Sequence, residues 1–361
     1  MRAVFPSSRS LCLLVPVLAA LLLTGCRRLP APPAPGETAA LPTLAGGHAP
    51  DGWLVVTHGG AGSPPAWTPH TQAAADSAAA VLRDRPGTPA LATALDAALA
   101  GTMAMENDPL FNAGTGANIR LDGRTIQMDA ALMTGDGEFA SVAVIERVRH
   151  PILVARAVLD TPHRMLAGDG ATRFAHRIGF PDVVPTCPEA LRKYRRRIAR
   201  LLRGEAGGGY AEFDWRACWN YPGPPPTPAD TLAWADDPET GDTVATVVRD
   251  AGGHFAVTIS TGGTSLTLDG RVGDVPIYGC GCYAGPAGAV ACTGFGEEII
   301  RHQMARTIYT LLADGLPARE AVRRACAAFP REYSLGLIAV GRDGWGVAAN
   351  RQMAWGQAGA S

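Results

Sequence analysis

The sequence predicts an α+β fold, and two observations support this prediction. Apolar segments with the length of buried strands alternate with Ala- and Leu-rich segments of helical period. Both kinds of segment occur before and after a mid-chain stretch of changed composition, residues 181–241. Hydrophobic residues make up 47 % of the 361 residues, enough for a packed core, and the formal net charge of −1 argues against a nucleic-acid partner.

The first residues are expected to lie outside that core. Arg2 and Arg9 precede an apolar run from Leu11 to Leu23, which is short for a membrane span and typical of a secretory signal. The run ends in Leu23-Thr24-Gly25-Cys26, which resembles the lipobox of bacterial lipoproteins. The resemblance implies a signal peptide over residues 1–25 and a lipid-bearing Cys26; the alternative is an ordinary signal peptide with a chance Cys.

A lipid on Cys26 would anchor the protein in a lipid bilayer, on the periplasmic side of a bacterial membrane or at the cell surface. Residues 26–50 are Pro-rich and without apolar period, and they are predicted to form an extended spacer. The catalytic domain is therefore expected to span residues 51–361.

The elements before the mid-chain stretch are predicted from the periodicity of apolar residues and from the Gly and Pro residues that end each element. Residues 53–57 are predicted to form a strand that leaves the core into a turn at His58-Gly59-Gly60-Ala61-Gly62. Helices are predicted over residues 71–82, 89–105 and 151–160, and strands around residues 119–121, 125–128 and 140–148.

Residues 182–242 are predicted to be a linker with one basic helix over residues 188–203. A basic helix can bind anionic lipid or simply present a solvated face. After the linker, a hairpin is predicted over residues 243–249 and 255–260, helices over residues 297–312 and 317–329, and a closing hairpin over residues 335–340 and 345–349.

The chemistry is expected at Thr243, because the common serine-hydrolase, metalloprotease and phosphate-loop motifs are missing from the sequence. Thr243 stands at the head of a predicted strand directly after the linker. A threonine hydroxyl is a poor nucleophile without a base, and the α-amino group of an N-terminal threonine can supply one. The sequence therefore predicts autocleavage between Asp242 and Thr243.

An ordered set of motifs around Thr243 resembles the N-terminal-nucleophile (Ntn) asparaginases, which include plant-type asparaginase/isoaspartyl peptidases and glycosylasparaginases. The resemblance covers residues 53–355, and its motifs are Pro109-Leu110-Phe111-Asn112-Ala113-Gly114-Thr115-Gly116, Met128-Asp129-Ala130, Asp242-Thr243-Val244, Ser260-Thr261-Gly262-Gly263, Gly270-Arg271-Val272-Gly273-Asp274 and Cys292-Thr293-Gly294-Phe295-Gly296-Glu297. It implies a four-layer αββα sandwich of the Ntn-hydrolase type, one domain made from two autocleaved fragments, residues 51–242 and 243–361.

The same resemblance implies a role for each site residue. Thr243 is the nucleophile, Thr261 bonds its hydroxyl, and Asn112 orders its surroundings. Thr293 and the Gly294 N–H form the oxyanion hole, while Arg271 and Asp274 hold the substrate's α-carboxylate and α-ammonium. The alternatives are ordinary strand threonines and a surface ion pair between Arg271 and Asp274.

No cofactor is expected for catalysis, but one loop resembles the family's sodium loop. Its backbone carbonyl groups would hold a structural Na⁺, with a purely structural loop as the alternative; they belong to Met105, Glu106, Asp108, Phe111, Ala113 and Thr115. A zinc site at Cys280-x-Cys282 is not favoured, because no second pair stands at zinc spacing. A Cys187 to Cys218 disulfide stays open.

The resemblance implies hydrolysis of the side-chain amide of isoaspartyl peptides or L-asparagine, with release of L-aspartate. The expected partners are a small-molecule or short-peptide substrate and a second αβ heterodimer. Asp242 resembles the glycosylasparaginase branch, which keeps glycosylasparagine open as a substrate. Ala245 replaces a usual Gly, and its methyl group would slow self-cleavage; a catalytically silent, lipid-anchored binding protein is therefore a further alternative.

Overall fold

The computed structural model describes residues 40–49, 51–83, 91–205 and 243–360. The signal peptide, Cys26, Cys218 and Asp242 lie outside these residues. The strands are β1 (Thr43–His48), β2 (Trp53–Ala61), β3 (Met128–Thr134), β4 (Phe139–Ile145), β5 (Met165–Ala167), β6 (Val244–Arg249), β7 (Phe255–Thr261), β8 (Cys282–Gly285), β9 (Gly288–Gly294), β10 (Leu335–Gly341), β11 (Gly344–Ala349) and β12 (Met353–Ala360). The helices are α1 (Thr68–Arg83), α2 (Leu91–Asn107), α3 (Pro151–Val158), α4 (Gly168–Arg177), α5 (Pro188–Leu202), α6 (Gly296–His302), α7 (Met304–Ala313) and α8 (Ala318–Ala328).

The strands form two sheets, of order β12-β2-β6-β7-β3-β4-β5 and β1-β11-β10-β9-β8. Strands β2, β6 and β7 of the larger sheet contact β8, β9 and β10 of the smaller sheet. Helices α1 and α2 contact the larger sheet, and α7 and α8 contact the smaller one. The predicted mixture of helices and sheets is confirmed, and β6, which begins directly after the predicted nucleophile, is an inner strand of the larger sheet.

The burial of β2 explains why its sequence is an unbroken apolar run rather than an alternating one. Leu54 and Val56 pack in the core between the two sheets, whereas Trp53 and Val55 pack in a second core beneath the helices. Successive side chains of a strand point to opposite faces, so a strand covered on both faces needs apolar residues throughout.

Several predicted boundaries are wrong for local reasons. Residues 58–61 were predicted to be a turn but extend β2, with a positive φ at Gly60. The predicted helix over residues 297–312 is broken at Gln303, whose φ is +44°. Residues 119–121 and 125–127 form loop rather than strand, and the hairpin β10–β11 is followed by β12, which pairs with β2.

Part of the predicted spacer belongs to the smaller sheet. Residues 43–48 form β1, which pairs antiparallel with β11. A Cβ on Gly46 would lie 2.7 Å from the Arg319 Cβ atom, so this edge strand approaches its neighbour closely because it has little side chain. Its lack of apolar period hid it in the sequence, although Leu44 and Ala45 pack against the core between the sheets.

The first part of the predicted linker also packs on the body. The basic helix is confirmed as α5, and its Ile198 and Leu201 form an apolar cluster with Leu121 and Leu266. The basic composition favoured a solvated helix, but one side of α5 is packed against the body of the protein. Among the described residues, no helix is long and apolar enough to cross a bilayer.

Arg249 ties β6 to the segment that connects β1 and β2. Its guanidinium donates five hydrogen bonds to backbone carbonyl groups, those of Gly52, Gly341, Arg342, Ala49 and Asp51. The residue is only 3 % exposed. Several backbone carbonyl oxygens that converge on one point need a side chain with several N–H donors, and the planar guanidinium of arginine has five.

We expect Arg249→Met to lower the free energy of unfolding by about 3 kcal/mol or more, because a stranded buried carbonyl group costs about 1–3 kcal/mol. Urea denaturation of the Thr243→Ala chain, with and without the change, measures this loss. Arg342→Met is the matched control, since Arg342 is exposed and its side chain donates one hydrogen bond, to the Pro286 carbonyl. Equal small losses in both variants would contradict the assignment.

Candidate active site

The pairing of β6 with β7 brings two threonine hydroxyl groups together. Thr243 lies immediately before β6, and the register pairs Val244 with Ser260, so Thr243 lies opposite Thr261 at the end of β7. Thr243 Oγ1 donates to Thr261 Oγ1 at 3.4 Å, and Thr261 Oγ1 accepts from the Gly263 N–H at 3.0 Å. The two residues are 8 % and 4 % exposed, so the hydroxyl pair is nearly enclosed.

Asn112 holds the turn that follows β7. Its Nδ2 donates to the Gly263 carbonyl at 2.7 Å, and its own carbonyl accepts from the Gly262 N–H at 2.8 Å. A Cβ on Gly262 would lie 2.4 Å from Asn112 Oδ1, so this approach requires glycine. Asn118, which sequence reasoning missed, also donates to the Gly263 carbonyl, at 2.6 Å. The predicted ordering role of Asn112 corresponds to these contacts with the turn.

Thr293 and Gly294 lie together at the end of β9 but face different surroundings. The Thr293 hydroxyl is fully buried and accepts from the Ala61 N–H at 3.3 Å, whereas Gly294 lines the same cleft as Thr243. Gly294 has a φ of +136°, and a Cβ there would lie 2.1 Å from the Ser334 carbonyl oxygen. Only glycine can therefore present its backbone to the cleft at this position.

Arg271 and Asp274 lie on the loop between β7 and β8 and do not form an ion pair with each other. Arg271 is paired instead with Glu297, at 2.9 Å from Nη2 to Oε1. The Asp274 carboxyl is 5 % exposed, and its Oδ2 has no hydrogen-bond partner. A Cβ on Gly296 would lie 2.9 Å from Arg271 Nη2 and 3.0 Å from Asp274 Oδ1, so the bare glycine leaves room for both groups.

Burial raises the pKa of Asp274 to about 7, and the nearby Arg271 guanidinium only partly offsets this effect. The carboxyl group, whose Oδ2 has no hydrogen-bond partner, therefore lines the cleft with its charge only partly developed close to neutral pH. A cationic group placed against it would restore full ionisation.

Two buried charged residues behind this loop were not foreseen from the sequence. Arg120 is fully buried and donates to the Arg271 carbonyl at 3.1 Å and to the Thr267 hydroxyl. Asp129 is also fully buried and accepts from the Val144 N–H at 2.8 Å. Burial raises the pKa of Asp129, and the hydrogen bond from the Val144 N–H and the charge of Arg120 offset this effect only in part. Together these groups support the loop from beneath.

His58 is a further polar group near Thr243 that the sequence placed only in a turn. It pairs with Ala245 across β2 and β6, is fully buried, and lies close to the Thr243 backbone. Neither ring nitrogen has a hydrogen-bond partner of regular geometry. Burial lowers the pKa of His58 to about 3, so the imidazole is neutral at physiological pH.

The loop predicted to hold sodium brings several carbonyl groups together. A Cβ on Gly116 would lie 2.1 Å from the Phe111 carbonyl oxygen, and a Cβ on Gly114 would lie 2.4 Å from that of Glu106. The Glu106 carboxylate is used elsewhere, since it accepts from the Ser260 hydroxyl at 2.6 Å and from the Ile152 N–H at 3.1 Å. Asp108 likewise accepts from the Leu110 N–H. Backbone oxygen is thus the donor that this loop can offer to a hard cation.

One cleft contains most of the predicted site residues. It is small, about 50 Å³, and is lined by Asn112, Asn118, Arg197, Thr243, Thr261, Gly263, Thr264, Arg271, Gly273, Asp274 and Gly294. A larger cavity of about 310 Å³ lies between β1 and α8 and contains none of the predicted site residues. The larger cavity is therefore not the one that contains the predicted site residues. In the described parts of the chain, no three His, Cys, Asp or Glu side chains are placed to hold a metal ion.

Comparison with known proteins identifies relatives over most of the chain. A family model described as asparaginase matches residues 51–360. The plant-type L-asparaginase of Pyrococcus abyssi is 34 % identical over 257 residues, which is 70 % of this chain and 78 % of that protein. The isoaspartyl peptidase of Salmonella typhimurium is 36 % identical over 258 residues, 70 % of this chain and 76 % of that protein. The probable isoaspartyl peptidase/L-asparaginase 2 of Arabidopsis thaliana is 33 % identical over 314 residues, 81 % of this chain and 91 % of that protein.

We expect the buried His58 to make the fold sensitive to acid. The unfolded chain binds a proton below about pH 6.5 and the folded chain only below about pH 3, so stability falls as the pH decreases between these values. The slope due to His58 is about 1.4 kcal/mol per pH unit. In the Thr243→Ala chain, His58→Gln should remove this slope from urea titrations between about pH 5 and pH 7. The exposed His163→Gln should retain it; an unchanged slope in His58→Gln would contradict the assignment.

Proposed function

This chain belongs to the Ntn asparaginase family and is a threonine-nucleophile amidohydrolase, and from that premise we propose its reaction. It cleaves its own backbone between Asp242 and Thr243. The new N-terminal threonine then hydrolyses the side-chain amide of isoaspartyl peptides or L-asparagine and releases L-aspartate.

The observation that supports this proposal best is the enclosed pair of hydroxyl groups at Thr243 and Thr261. They lie 3.4 Å apart in a cleft that also contains Arg271 and Asp274. An ordinary strand threonine has no reason to face a guanidinium and a carboxyl group across a cleft. The arrangement supports a latent nucleophile at Thr243 beside a binding site for a zwitterion.

Self-cleavage supplies the base that the nucleophile needs. In the uncut chain the Thr243 nitrogen is part of a peptide bond and cannot accept a proton. Hydrolysis of that bond frees an α-amino group with an ordinary pKa of about 8, next to the Thr243 hydroxyl. The amine takes the hydroxyl proton while Oγ1 attacks the substrate amide. Thr261 Oγ1, held by the Gly263 N–H, keeps the attacking hydroxyl in place.

The remaining groups bind the substrate and its developing charge. The Arg271 guanidinium binds the α-carboxylate, for which Glu297 must yield part of its contact. Asp274 binds the α-ammonium, which supplies the missing partner of its Oδ2. The Gly294 N–H stabilises the oxyanion, a contribution of about 100- to 1,000-fold in rate for such a donor. The resemblance gives the Thr293 hydroxyl the same role, but in this structure that hydroxyl lies outside the lining of the cleft, bonded to the Ala61 N–H, and it would have to turn to reach the oxyanion. Water, activated by the same amine, releases aspartate from the acyl-enzyme.

The proposal extends to the assembly around this site. Contacts of the outer helices with two facing sheets support a four-layer αββα order. Backbone carbonyl groups of the loop that precedes Asn112 would hold a structural Na⁺ and so stabilise the loop. The assembly would be a dimer of αβ heterodimers. A lipid on Cys26 would anchor each heterodimer to a bacterial membrane, on the periplasmic side or at the cell surface.

A glycosylasparaginase-like reaction is the second candidate, because Asp242 before the nucleophile resembles that branch. A silent binding protein is the third, because Ala245 pairs with His58 beside the cut and its methyl group fills a place usually left to glycine. Rates on β-aspartyl dipeptides, L-asparagine and N-acetylglucosaminyl-asparagine separate the three candidates. Fastest turnover of the glycosylated substrate would favour the second candidate, and no turnover of any would favour the third.

Intact-mass analysis tests self-cleavage directly. We expect the purified chain to yield a fragment that begins at Thr243, and Thr243→Ala to remain whole because it lacks the attacking hydroxyl. Thr246→Val is the matched control, since Thr246 is a fully buried threonine of the same strand, and it should still be cut. A wild-type chain that remains whole after long incubation, without an N-terminal threonine, would overturn the enzymatic proposal.

The raised pKa of Asp274 predicts that binding of L-aspartate weakens as the pH falls. Below about pH 7 the free carboxyl group is protonated and must lose its proton to bind the ammonium, so Kd should rise about tenfold per pH unit. Titration calorimetry of the processed enzyme between about pH 5 and pH 8 measures this dependence. Asp274→Asn should bind weakly at every pH, whereas the exposed Asp314→Asn should behave like wild type. A Kd of the wild type that does not change with pH would contradict this role.

A further inference from the structure

Helix α5 contributes Arg197 to the cleft that contains Thr243 and Arg271. This helix belongs to the stretch whose composition predicted a linker with a solvated basic face. The lining of the cleft therefore includes a basic helix that precedes the cut, beside the strands that meet at Thr243, the loop of Arg271, the segment of Asn112 and Asn118, and Gly294. The reaction proposed above uses no residue of this helix.

The position of Arg197 is fixed by the packing of its helix. Ile198 and Leu201 pack in an apolar cluster with Leu121 and Leu266, and Leu266 lies on the same loop as Arg271. The Tyr194 hydroxyl donates to the Leu121 carbonyl at 3.1 Å. Residues three or four positions apart share one face of a helix, so Arg197 lies at the edge of the anchored face. Its side chain is accordingly half-buried rather than extended into solvent.

Three charged side chains line the cleft, those of Arg271, Asp274 and Arg197. One guanidinium, that of Arg271, and one carboxyl group, that of Asp274, match the α-carboxylate and the α-ammonium. Arg197 adds a second guanidinium on the helix side of the same cleft. L-Asparagine has one carboxylate at neutral pH, whereas a β-aspartyl dipeptide has two. The second carboxylate belongs to the amino acid that leaves.

We propose that Arg197 binds the free α-carboxylate of the leaving amino acid and so selects β-aspartyl dipeptides over L-asparagine. The inference rests on the proposed function, of which it specifies the substrate. A guanidinium binds a carboxylate through two parallel hydrogen bonds, and such charge-assisted bonds are the strong ones in proteins. Arg197 is thus a specificity-determining residue, and it acts on substrate binding beyond the scissile amide.

The test compares three substrates: β-aspartyl-leucine, its C-terminal amide, and L-asparagine. The enzymes are wild type, Arg197→Gln, Arg197→Lys and, as the matched control, Arg195→Gln, because Arg195 is an exposed arginine of the same helix that does not line the cleft. Intact mass verifies that each variant has been cut before Thr243. The readout is kcat/KM for each pair of enzyme and substrate.

We expect Arg197→Gln to lower kcat/KM for β-aspartyl-leucine by about 10- to 100-fold, the usual loss when a carboxylate loses a charge-assisted partner. Rates on the amide and on L-asparagine should change by less than about threefold, because neither substrate has the second carboxylate. Arg197→Lys should retain part of the preference, and Arg195→Gln all of it. Wild type should cleave the free acid at least about tenfold better than the amide, a readout that needs no variant.

Two results would overturn the inference alone. One is an equal loss on all three substrates in Arg197→Gln, which would indicate a structural role. The other is a wild-type ratio of free acid to amide near one. A wild-type enzyme that is inactive on all three substrates would overturn the proposed function together with this inference, so the two failures are distinguishable.

Discussion

The pairing register of β6 with β2 and β7 is the constraint on which the site depends. Because β6 is hydrogen-bonded on both sides, its first residue cannot slip, and a shift by one position would turn every side chain of the strand to the opposite face. That register places the Thr243 hydroxyl against Thr261. Asn112 holds the turn at Gly262 and Gly263 by two hydrogen bonds. Since this turn directly follows Thr261, these bonds keep Thr261 in place opposite Thr243.

The same region contains polar groups that a stable core would not tolerate without partners. The Asp274 Oδ2 atom and both ring nitrogens of His58 lack hydrogen bonds, and burial shifts the pKa values of both residues far from their usual values. A stabilising core satisfies its buried polar groups, whereas a binding site leaves some for its ligand. In the proposed reaction, the ammonium group of an aspartyl substrate would supply the partner that Asp274 Oδ2 lacks. The local cost in stability would then be the origin of a selectivity for zwitterions.

Sequence analysis predicted the elements and site residues that short stretches of the chain specify by periodicity or motif. The helical period gave α1, α2, α3, α5 and α8 to within a few residues, and the ordered motifs placed Thr243, Thr261, Arg271 and Asp274 in one site, which the structure brings together in a single cleft. Strand β1 was missed because Gly46 and Gly47 leave it too few apolar residues for a recognisable period, although Leu44 and Ala45 pack against the core. Asn118 was missed because its partner is 145 residues away. The packing of α5 was missed because its many arginines concealed Ile198 and Leu201.

In the proposed reaction the hydroxyl group of Thr243 forms the acyl bond, and trapping the intermediate tests this step most directly. Processed enzyme is mixed with a β-aspartyl dipeptide, quenched rapidly in acid, digested and mapped by mass spectrometry. We expect one aspartyl group bound as an ester to the peptide that begins at Thr243. An aspartyl group on any other peptide, or turnover by a protein in which no peptide begins at Thr243, would contradict this role of Thr243.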